Sequence, residues 1–145
     1  MTFLAAAFIF ILDRLTKVIA MSCLVHGQPV EVLRNIFRIT LVLNTGTAFG
    51  LFKGKVAVFS GISVSVIVFI VVYILRNKKA GIILSLALGL ILGGASGNLF
   101  DRIRFGYVID FLDFGIWPVF NLADSAITTG VAILVLRLLW LRKVK

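Results

Sequence analysis

The chain has 145 residues, 61% of them hydrophobic, and its 15 lysines and arginines outnumber six acidic residues to give a net charge of +9. A soluble domain carries roughly 45–50% apolar residues, so this composition predicts an integral membrane protein, built as one domain over residues 1–145. The basic residues mostly flank apolar runs instead of forming one stripe. This distribution favours anchoring at membrane surfaces and argues against nucleic-acid binding.

The first apolar run covers residues 2–25 and predicts a membrane-spanning helix. It contains Asp13, Arg14 and Lys17, and the four-residue spacing of Asp13 and Lys17 lets them pair on one helix face. A secretory signal peptide is the competing interpretation. The run begins without basic residues and has charges where an apolar core should continue, so we expect a retained helix.

Residues 36–43 are rich in β-branched and aromatic side chains, which predicts a strand ending at the turn signal Asn44-Thr45-Gly46. We therefore expect a small β cradle on the outer face of the membrane, between helices 1 and 2. The segment from Asn44 to Gly50 has two interpretations that the sequence leaves open. It is either a plain turn or a loop that holds the backbone of an extended peptide.

Three further runs, at residues 56–75, 80–100 and 119–141, are long enough to cross a bilayer. The fold class predicted is thus a membrane all-α protein with four transmembrane helices and both termini on one side. Cations between the second and third helices and in the tail place that side in the cytoplasm, by the positive-inside rule. These cations are Arg76, Lys78, Lys79, Arg137, Arg142, Lys143 and Lys145.

Within the third helix, Gly89, Gly93 and Gly97 recur every four residues, and Gly94 lies between them. Small residues at this spacing let membrane helices approach closely. We therefore interpret the glycines as a packing face and not as direct ligand contacts.

Four of the six acidic residues, Asp101, Asp110, Asp113 and Asp124, fall in a short stretch in or beside apolar runs. Ionised carboxylates are costly there, so a functional role is the default hypothesis. Asn98 precedes Asp101 by three residues, as Asn121 precedes Asp124. One such pair can be a helix cap or an interhelical hydrogen bond, whereas two at the same depth favour a functional pocket.

The carboxylates differ in their sequence surroundings. Asp101 is expected to be ion-paired with Arg102 and Arg104, and Asp113 to be a solvated loop residue. Asp110 lies among apolar residues, which should raise its pKa. Asp110 with Asp124 therefore fits acid–base chemistry on an activated water better than Asp101 with Asp124.

The same sequence also bears on other classes of function. Cys23 and His26 are the only cysteine and histidine, which excludes an internal disulfide and a cysteine-rich metal site, and no triad or zinc motif surrounds His26. A proton-coupled transporter is the main rival, since intramembrane aspartates relay protons. Clustering of the carboxylates at one face argues against it, and a non-enzymatic scaffold leaves the repeated Asn-x-x-Asp pattern unexplained.

Over nearly its whole length the chain resembles lipoprotein signal peptidase, also called signal peptidase II, a family of aspartyl proteases of the bacterial inner membrane. Five segments in this order carry the resemblance: Asp13-x-x-x-Lys17, Asn44-x-Gly46-x-Ala48-Phe49-Gly50, Gly93-Gly94-Ala95-x-Gly97-Asn98-Leu99-x-Asp101-Arg102, Val108-Ile109-Asp110-Phe111 and Phe120-Asn121-x-Ala123-Asp124-Ser125.

The resemblance implies removal of signal peptides from diacylglyceryl-modified prolipoproteins, by cleavage on the N-terminal side of the lipidated cysteine. It implies a catalytic dyad of Asp110 and Asp124, with Asp101 as an alternative member. The residues implied to bind substrate or support the site are Asn44, Gly46, Asn98, Asp101, Arg102, Asn121, Asp13 and Lys17. It further implies a monomer in the bacterial cytoplasmic membrane, surrounded by lipid, with its site near the outer face, no metal or organic cofactor, and inhibition by the cyclic peptide globomycin.

Overall fold

The computed structural model describes residues 1–46, 56–77 and 80–143. Within these ranges the chain forms four helices and three strands. In order they are α1 (Thr2–Cys23), β1 (Val30–Leu33), β2 (Phe37–Asn44), α2 (Val56–Arg76), α3 (Ile82–Phe105), β3 (Val108–Asp113) and α4 (Leu122–Lys143). Four residues used above, Gly50, Lys78, Lys79 and Lys145, lie outside the described ranges, as do Ala48 and Phe49 of the second motif segment.

Three helices in the described part of the chain, α2, α3 and α4, are long and apolar enough to cross a membrane. The helix α1 has a similar length of 22 residues, but Asp13, Arg14 and Lys17 interrupt its apolar sequence. The protein is therefore mostly helical with a multi-pass membrane character. Four spans, and their orientation, stay predictions.

The helix α3 lies at the centre of the packing and contacts α1, α4 and α2. Its glycines make these approaches close. A Cβ atom added to Gly93 would lie 2.6 Å from the carbonyl oxygen of Ala6 in α1, and one added to Gly94 would collide with the carbonyl oxygen of Ala123 in α4. The predicted packing face is thus confirmed, because no larger side chain fits between these backbones.

The strands form one antiparallel sheet in the order β1-β2-β3. The predicted strand at 36–43 is confirmed as β2. The sequence did not predict β3, which comes from the connection between α3 and α4 and pairs Asp110 with Val42 and Val108 with Asn44. The sheet therefore joins the connection after α1 to the connection after α3.

Two helix boundaries differ from those predicted. The third helix continues to Phe105 instead of ending near residue 100, and Gly106 ends it in a left-handed conformation with φ of 78°. The fourth helix begins at Leu122 and not at residue 119, where the apolar run starts, so Asp124 lies in its first turn. The first shift leaves Asp101 about one turn before the end of α3, whereas the second places Asp124 at the start of α4, where backbone N–H groups are free to bond with side chains.

Candidate active site

The strand β3 carries Asp110 into the interior, where its side chain is buried. The neighbouring strand ends at Asn44, whose Nδ2 donates a hydrogen bond of 2.8 Å to Asp110 Oδ2. The other end of that amide is also engaged, because Asn44 Oδ1 accepts from the backbone N–H of Gly46 at 3.0 Å. The turn predicted at Asn44-Thr45-Gly46 therefore fixes which atom of Asn44 faces the carboxylate.

Asn121 and Asp124 form a reciprocal cap at the start of α4. Asn121 Oδ1 accepts from the backbone N–H of Asp124 at 2.9 Å, and Asp124 Oδ2 accepts from the backbone N–H of Asn121 at 3.3 Å. This arrangement is a capping box. It also orients Asn121 Nδ2, which donates to Asp110 Oδ1 at 2.7 Å, so the cap links α4 to β3.

Asn98 of α3 completes the connection between the two carboxylates. Its Nδ2 donates to Asp124 Oδ1 at 2.8 Å, and its Oδ1 accepts from Asn121 Nδ2 at 3.0 Å. Lys17 Nζ donates to the same Oδ1 at 2.9 Å. Three asparagines from three different elements thus hold Asp110 and Asp124 on either side of one small space.

Behind the asparagines lies a buried charge cluster, which we define as Asp13, Arg14, Lys17 and Asp101. Lys17 Nζ is 2.9 Å from Asp13 Oδ2 and 2.7 Å from Asp101 Oδ2, and Arg14 is 2.6 Å from Asp101 Oδ1. The predicted pairing of Asp13 with Lys17 is confirmed. The predicted partners of Asp101, Arg102 and Arg104, are wrong, because Asp101 faces α1.

The charge cluster also fixes the backbone where the site residues begin. Asp13 Oδ1 accepts from the N–H of Ala123 at 3.1 Å, and Asp101 Oδ2 accepts from the N–H of Ile109 at 3.2 Å. Each of these amides is adjacent in sequence to one of the two site carboxylates. Arg14 was not among the predicted site residues, although a charge inside an apolar run was the available signal.

Arg102 turns away from Asp101 and toward α2. Its NH1 donates to Ser63 Oγ at 3.2 Å, and its guanidinium carbon is 5.9 Å from the centroid of the Phe59 ring. It lines the same cleft as Asp110 and Asp124. A cation therefore faces the space between the two carboxylates.

The cleft has a volume of about 220 Å³. Its lining includes Asn44, Gly46, Asn98, Arg102, Val108, Asp110 and Asp124, together with four consecutive residues, Trp117, Pro118, Val119 and Phe120. The contribution of these four residues was not predicted. It arises because the segment after β3 folds back, with Phe120 N–H donating to the carbonyl oxygen of Leu112 at 3.0 Å.

Burial and, to a smaller extent, the nearby carboxylate of Asp124 together raise the pKa of Asp110 to about 7, against the opposing effects of hydrogen bonds from Asn44 and Asn121 and the charge of Lys17. The expected upward shift is therefore present. A group with this pKa is protonated about half of the time at neutral pH. In the described ranges, no three His, Cys, Asp or Glu side chains converge as metal ligands would.

Asp113 does not fit the prediction of a solvated loop residue. It is buried at the end of β3, where it lies 3.1 Å from Arg38 NH2 and accepts from Thr40 Oγ1 at 2.8 Å. Its partners on β2 explain its position. Asp113 thus stabilises the sheet at a distance from the cleft.

A comparison with protein families matches residues 5–140 to the family described as signal peptidase (SPase) II. The lipoprotein signal peptidase of Halothermothrix orenii is 43% identical over 138 residues, which cover 95% of this chain and 94% of that protein. The lipoprotein signal peptidase of Moorella thermoacetica is 45% identical over 136 residues, covering 94% and 91%.

The fold of the chain also matches that of solved membrane-enzyme structures. Two structures described as bacterial membrane enzymes superpose with TM-scores of 0.88 and 0.85, each at 33% identity. Each superposition covers 95% of this chain, with 87% of the first solved chain and 92% of the second.

Proposed function

Because the chain belongs to the signal peptidase II family, whose members are proteases, we propose that it is an aspartyl endopeptidase acting on diacylglyceryl-modified prolipoproteins. It cuts on the N-terminal side of the lipidated cysteine and releases the signal peptide. Asp110 and Asp124 are the catalytic residues and water is the nucleophile.

One observation carries this proposal: Asp110 and Asp124 line one cleft and are held apart by shared asparagines. Asn121 Nδ2 bonds Asp110, and Asn98 Nδ2 bonds Asp124, at 2.7 and 2.8 Å. Two carboxylates that share a site do not both ionise easily, so the pair holds one proton near neutral pH. The pair therefore offers an acid and a base at the same time.

In the proposed reaction, ionised Asp124 takes a proton from water as the water oxygen attacks the scissile carbonyl carbon. Protonated Asp110, with its pKa of about 7, gives its proton to the carbonyl oxygen. The resulting diol collapses when the C–N bond breaks, the proton on Asp124 passes to the leaving amine, and a diol hydroxyl returns a proton to Asp110. Both carboxyl groups then regain their starting states.

The remaining site residues have positioning roles in this proposal. Asn44, Asn98 and Asn121 aim the carboxylates, and Gly46 fixes the amide of Asn44. Arg102 offers a cation to substrate carbonyl groups in the cleft. The charge cluster, which contains Asp13, Lys17 and Asp101, holds the beginnings of β3 and α4 in place.

The wider setting is proposed on the same basis. All four helices cross the bacterial cytoplasmic membrane with both termini in the cytoplasm, which puts the cleft and the sheet near the outer face. The enzyme acts as a monomer, the substrate arrives through the surrounding lipid, and globomycin competes for the cleft. No nucleic acid, metal or organic cofactor takes part.

The test is a gel-shift assay of purified protein with a diacylglyceryl prolipoprotein and with its unlipidated form. We expect cleavage of the lipidated form alone, and loss of cleavage in Asp110→Asn and Asp124→Asn. Asp113→Asn is the matched control, because Asp113 lies on the same strand but bonds Arg38 and Thr40 outside the cleft. It should keep its activity.

Substantial cleavage by folded Asp124→Asn would refute the dyad. Cleavage that survives Asp110→Asn and disappears in Asp101→Asn would keep the protease and change the dyad. Absence of cleavage by the folded wild type would refute the proposed substrate.

A further inference from the structure

A separate cavity of about 280 Å³ lies beside the sheet, at the end where β3 stops. We call it the hairpin pocket and define it by its lining, which is Glu31, Asn35, Ile36 and Arg38 from the β1–β2 hairpin with Phe114, Gly115 and Ile116 from the segment after β3. Among the residues that the structure describes, none lines both this pocket and the cleft. The hairpin pocket is therefore a space apart from the candidate catalytic residues.

Three charged residues form one row across the sheet beside this pocket. Glu31 lies opposite Arg38 in the register of β1 and β2, and Arg38 lies opposite Asp113 in that of β2 and β3. Arg38 NH2 is 3.1 Å from Asp113 Oδ2 and donates to Asp113 Oδ1 at 3.3 Å. Glu31 makes no ion pair within the described part of the chain. The one cation of the row thus bonds Asp113, and the charge of Glu31 is left uncompensated.

The carboxylate of Glu31 is nevertheless held in place by the hairpin turn. Asn35 adopts a left-handed conformation with φ of 59°, and its backbone N–H donates to Glu31 Oε1 at 3.0 Å. Within residues 1–46, 56–77 and 80–143, no group bonds Glu31 Oε2, nor Nε or NH1 of Arg38. The side chain of Arg38 is 41% exposed. The hairpin pocket therefore offers a fixed anionic acceptor and unused cationic donors side by side.

The rim of the hairpin pocket is apolar. Ile36 of the hairpin is 62% exposed and Ile116 of the segment after β3 is 94% exposed. Further exposed apolar side chains on the same hairpin are Val30, Val32 and Leu33. Exposed apolar side chains around a polar pocket are typical of a surface that contacts a partner or a membrane, and apolar groups next to charged ones suit the boundary between lipid head groups and acyl chains.

We propose that the hairpin pocket binds the head group of a bilayer phospholipid of the phosphatidylethanolamine class. The ammonium group donates to Glu31 Oε2, a phosphate oxygen accepts from Nε or NH1 of Arg38, and the acyl chains lie beside Ile36 and Ile116. This inference goes beyond the proposed peptidase reaction. It shares with the proposed function only the position of the sheet near the outer face of the membrane.

The spacing of the two charged side chains fits this head group. Residues directly opposite each other on antiparallel strands have Cβ atoms about 5 Å apart, and the two-carbon ethanolamine linker separates its ammonium and phosphate groups by a similar distance. Hydrogen bonds between ions are stronger than those between neutral groups. Phosphatidylcholine carries the same charges without ammonium N–H groups, so it cannot donate to Glu31. The hairpin pocket should therefore distinguish these two lipids.

The test is native mass spectrometry of the purified full chain, in detergent micelles that contain equal amounts of phosphatidylethanolamine and phosphatidylcholine with identical acyl chains. We expect wild type to retain about five times more phosphatidylethanolamine, which is the effect of one partly exposed ion pair. Glu31→Gln keeps an oxygen to accept from the N–H of Asn35 but removes the charge, so the ratio should fall to about one. Far-UV circular dichroism checks that the variant is folded.

Arg34→Gln is the matched control, because Arg34 is an exposed charge of the same hairpin that does not line the pocket. It should keep the wild-type ratio. A wild-type ratio near one would overturn the inference. A preference that persists in Glu31→Gln would also overturn it, since lipid packing in the micelle would then set the ratio. An equal loss in Arg34→Gln and Glu31→Gln would overturn the assignment to the pocket.

The alternative occupant is the mature part of the substrate, which follows the lipidated cysteine. A soluble peptide with a lysine in this part is added to the same micelles, in parallel with a peptide that has glutamine instead. Unchanged retention of phosphatidylethanolamine supports the inference, whereas displacement by the lysine peptide alone would assign Glu31 to the substrate and overturn it. Lipid retention is measured without cleavage, so failure of the proposed peptidase activity would be a separate result.

Discussion

Replacing Lys17 with methionine tests whether the buried charge cluster holds the candidate site together. Lys17 Nζ lies 2.9 Å from Asp13 Oδ2, 2.7 Å from Asp101 Oδ2 and 2.9 Å from Asn98 Oδ1. The cluster contains two cations and two carboxylates, so it is neutral as a whole. Methionine fills a similar volume but leaves one buried negative charge without a counterion.

Removing one partner from a buried ion pair costs about 3–5 kcal/mol, because the remaining charge stays desolvated. We expect Lys17→Met to lose this much free energy of unfolding. Adding Asp13→Asn restores neutrality, and the new side chain can still accept from the N–H of Ala123 through its Oδ1. The loss in free energy of unfolding of the double variant should therefore be about 1–3 kcal/mol smaller than the summed losses of the two single variants.

The measurement is reversible unfolding in mixed micelles with increasing SDS, followed by far-UV circular dichroism. Wild type, both single variants and the double variant form a complete cycle. A Lys17→Met protein within about 1 kcal/mol of wild type would refute the reasoning, since it would mean that water or lipid headgroups already screen the cluster. Strict additivity of the two changes would refute the claim that charge balance is what stabilises it.

Two further predictions concern Asp110 and the glycines. The folded protein keeps a proton on Asp110 up to about pH 7, whereas the unfolded chain releases it near pH 4. The free energy of unfolding of wild type, minus that of Asp110→Asn, should therefore fall as pH rises from about 4 to about 7. The same SDS titration measures this difference, and a difference that rises over this pH range would contradict the prediction. A Cβ atom at Gly97 would lie 2.5 Å from Asp13 Oδ2, and one at Gly61 would meet nothing within 4 Å. Gly97→Ala should therefore destabilise the protein by about 1–3 kcal/mol, whereas Gly61→Ala in α2 should be neutral or slightly stabilising. Equal changes in the free energy of unfolding would show that helix propensity, and not packing, controls both positions.

Much of the architecture follows from local patterns in the sequence. Three uncharged or nearly uncharged apolar runs predicted α2, α3 and α4, since each provides enough length to cross hydrocarbon. The pairing of Asp13 with Lys17 followed from their four-residue spacing on a helix. Close packing through Gly93 followed from its four-residue spacing within the glycine series. These features depend on neighbours in the chain, so they can be recognised from sequence alone.

Partners far apart in sequence could not be assigned in this way. Asp101 has two arginines nearby in the chain, yet it pairs with Arg14 and Lys17 because α3 turns that face toward α1. Asp113 follows apolar residues that end at a turn, yet it is buried because β3 pairs with β2 and brings Arg38 beside it. Sequence proximity was a poor guide in both cases, since ion pairing depends on which helix or strand faces the residue.

The sequence by itself determined which residues are candidates for the chemistry: carboxylates in apolar surroundings are costly, and the repeated Asn-x-x-Asp pattern marked Asn98 and Asn121, which bond Asp124 and Asp110 in the structure. Only the tertiary structure decided how they meet. The strand β3 and the capping box at Asp124 bring the asparagines between the two carboxylates. The physical reason is that hydrogen bonds and desolvation act over a few ångströms in space, and these distances are set by packing between elements and not by their spacing along the chain.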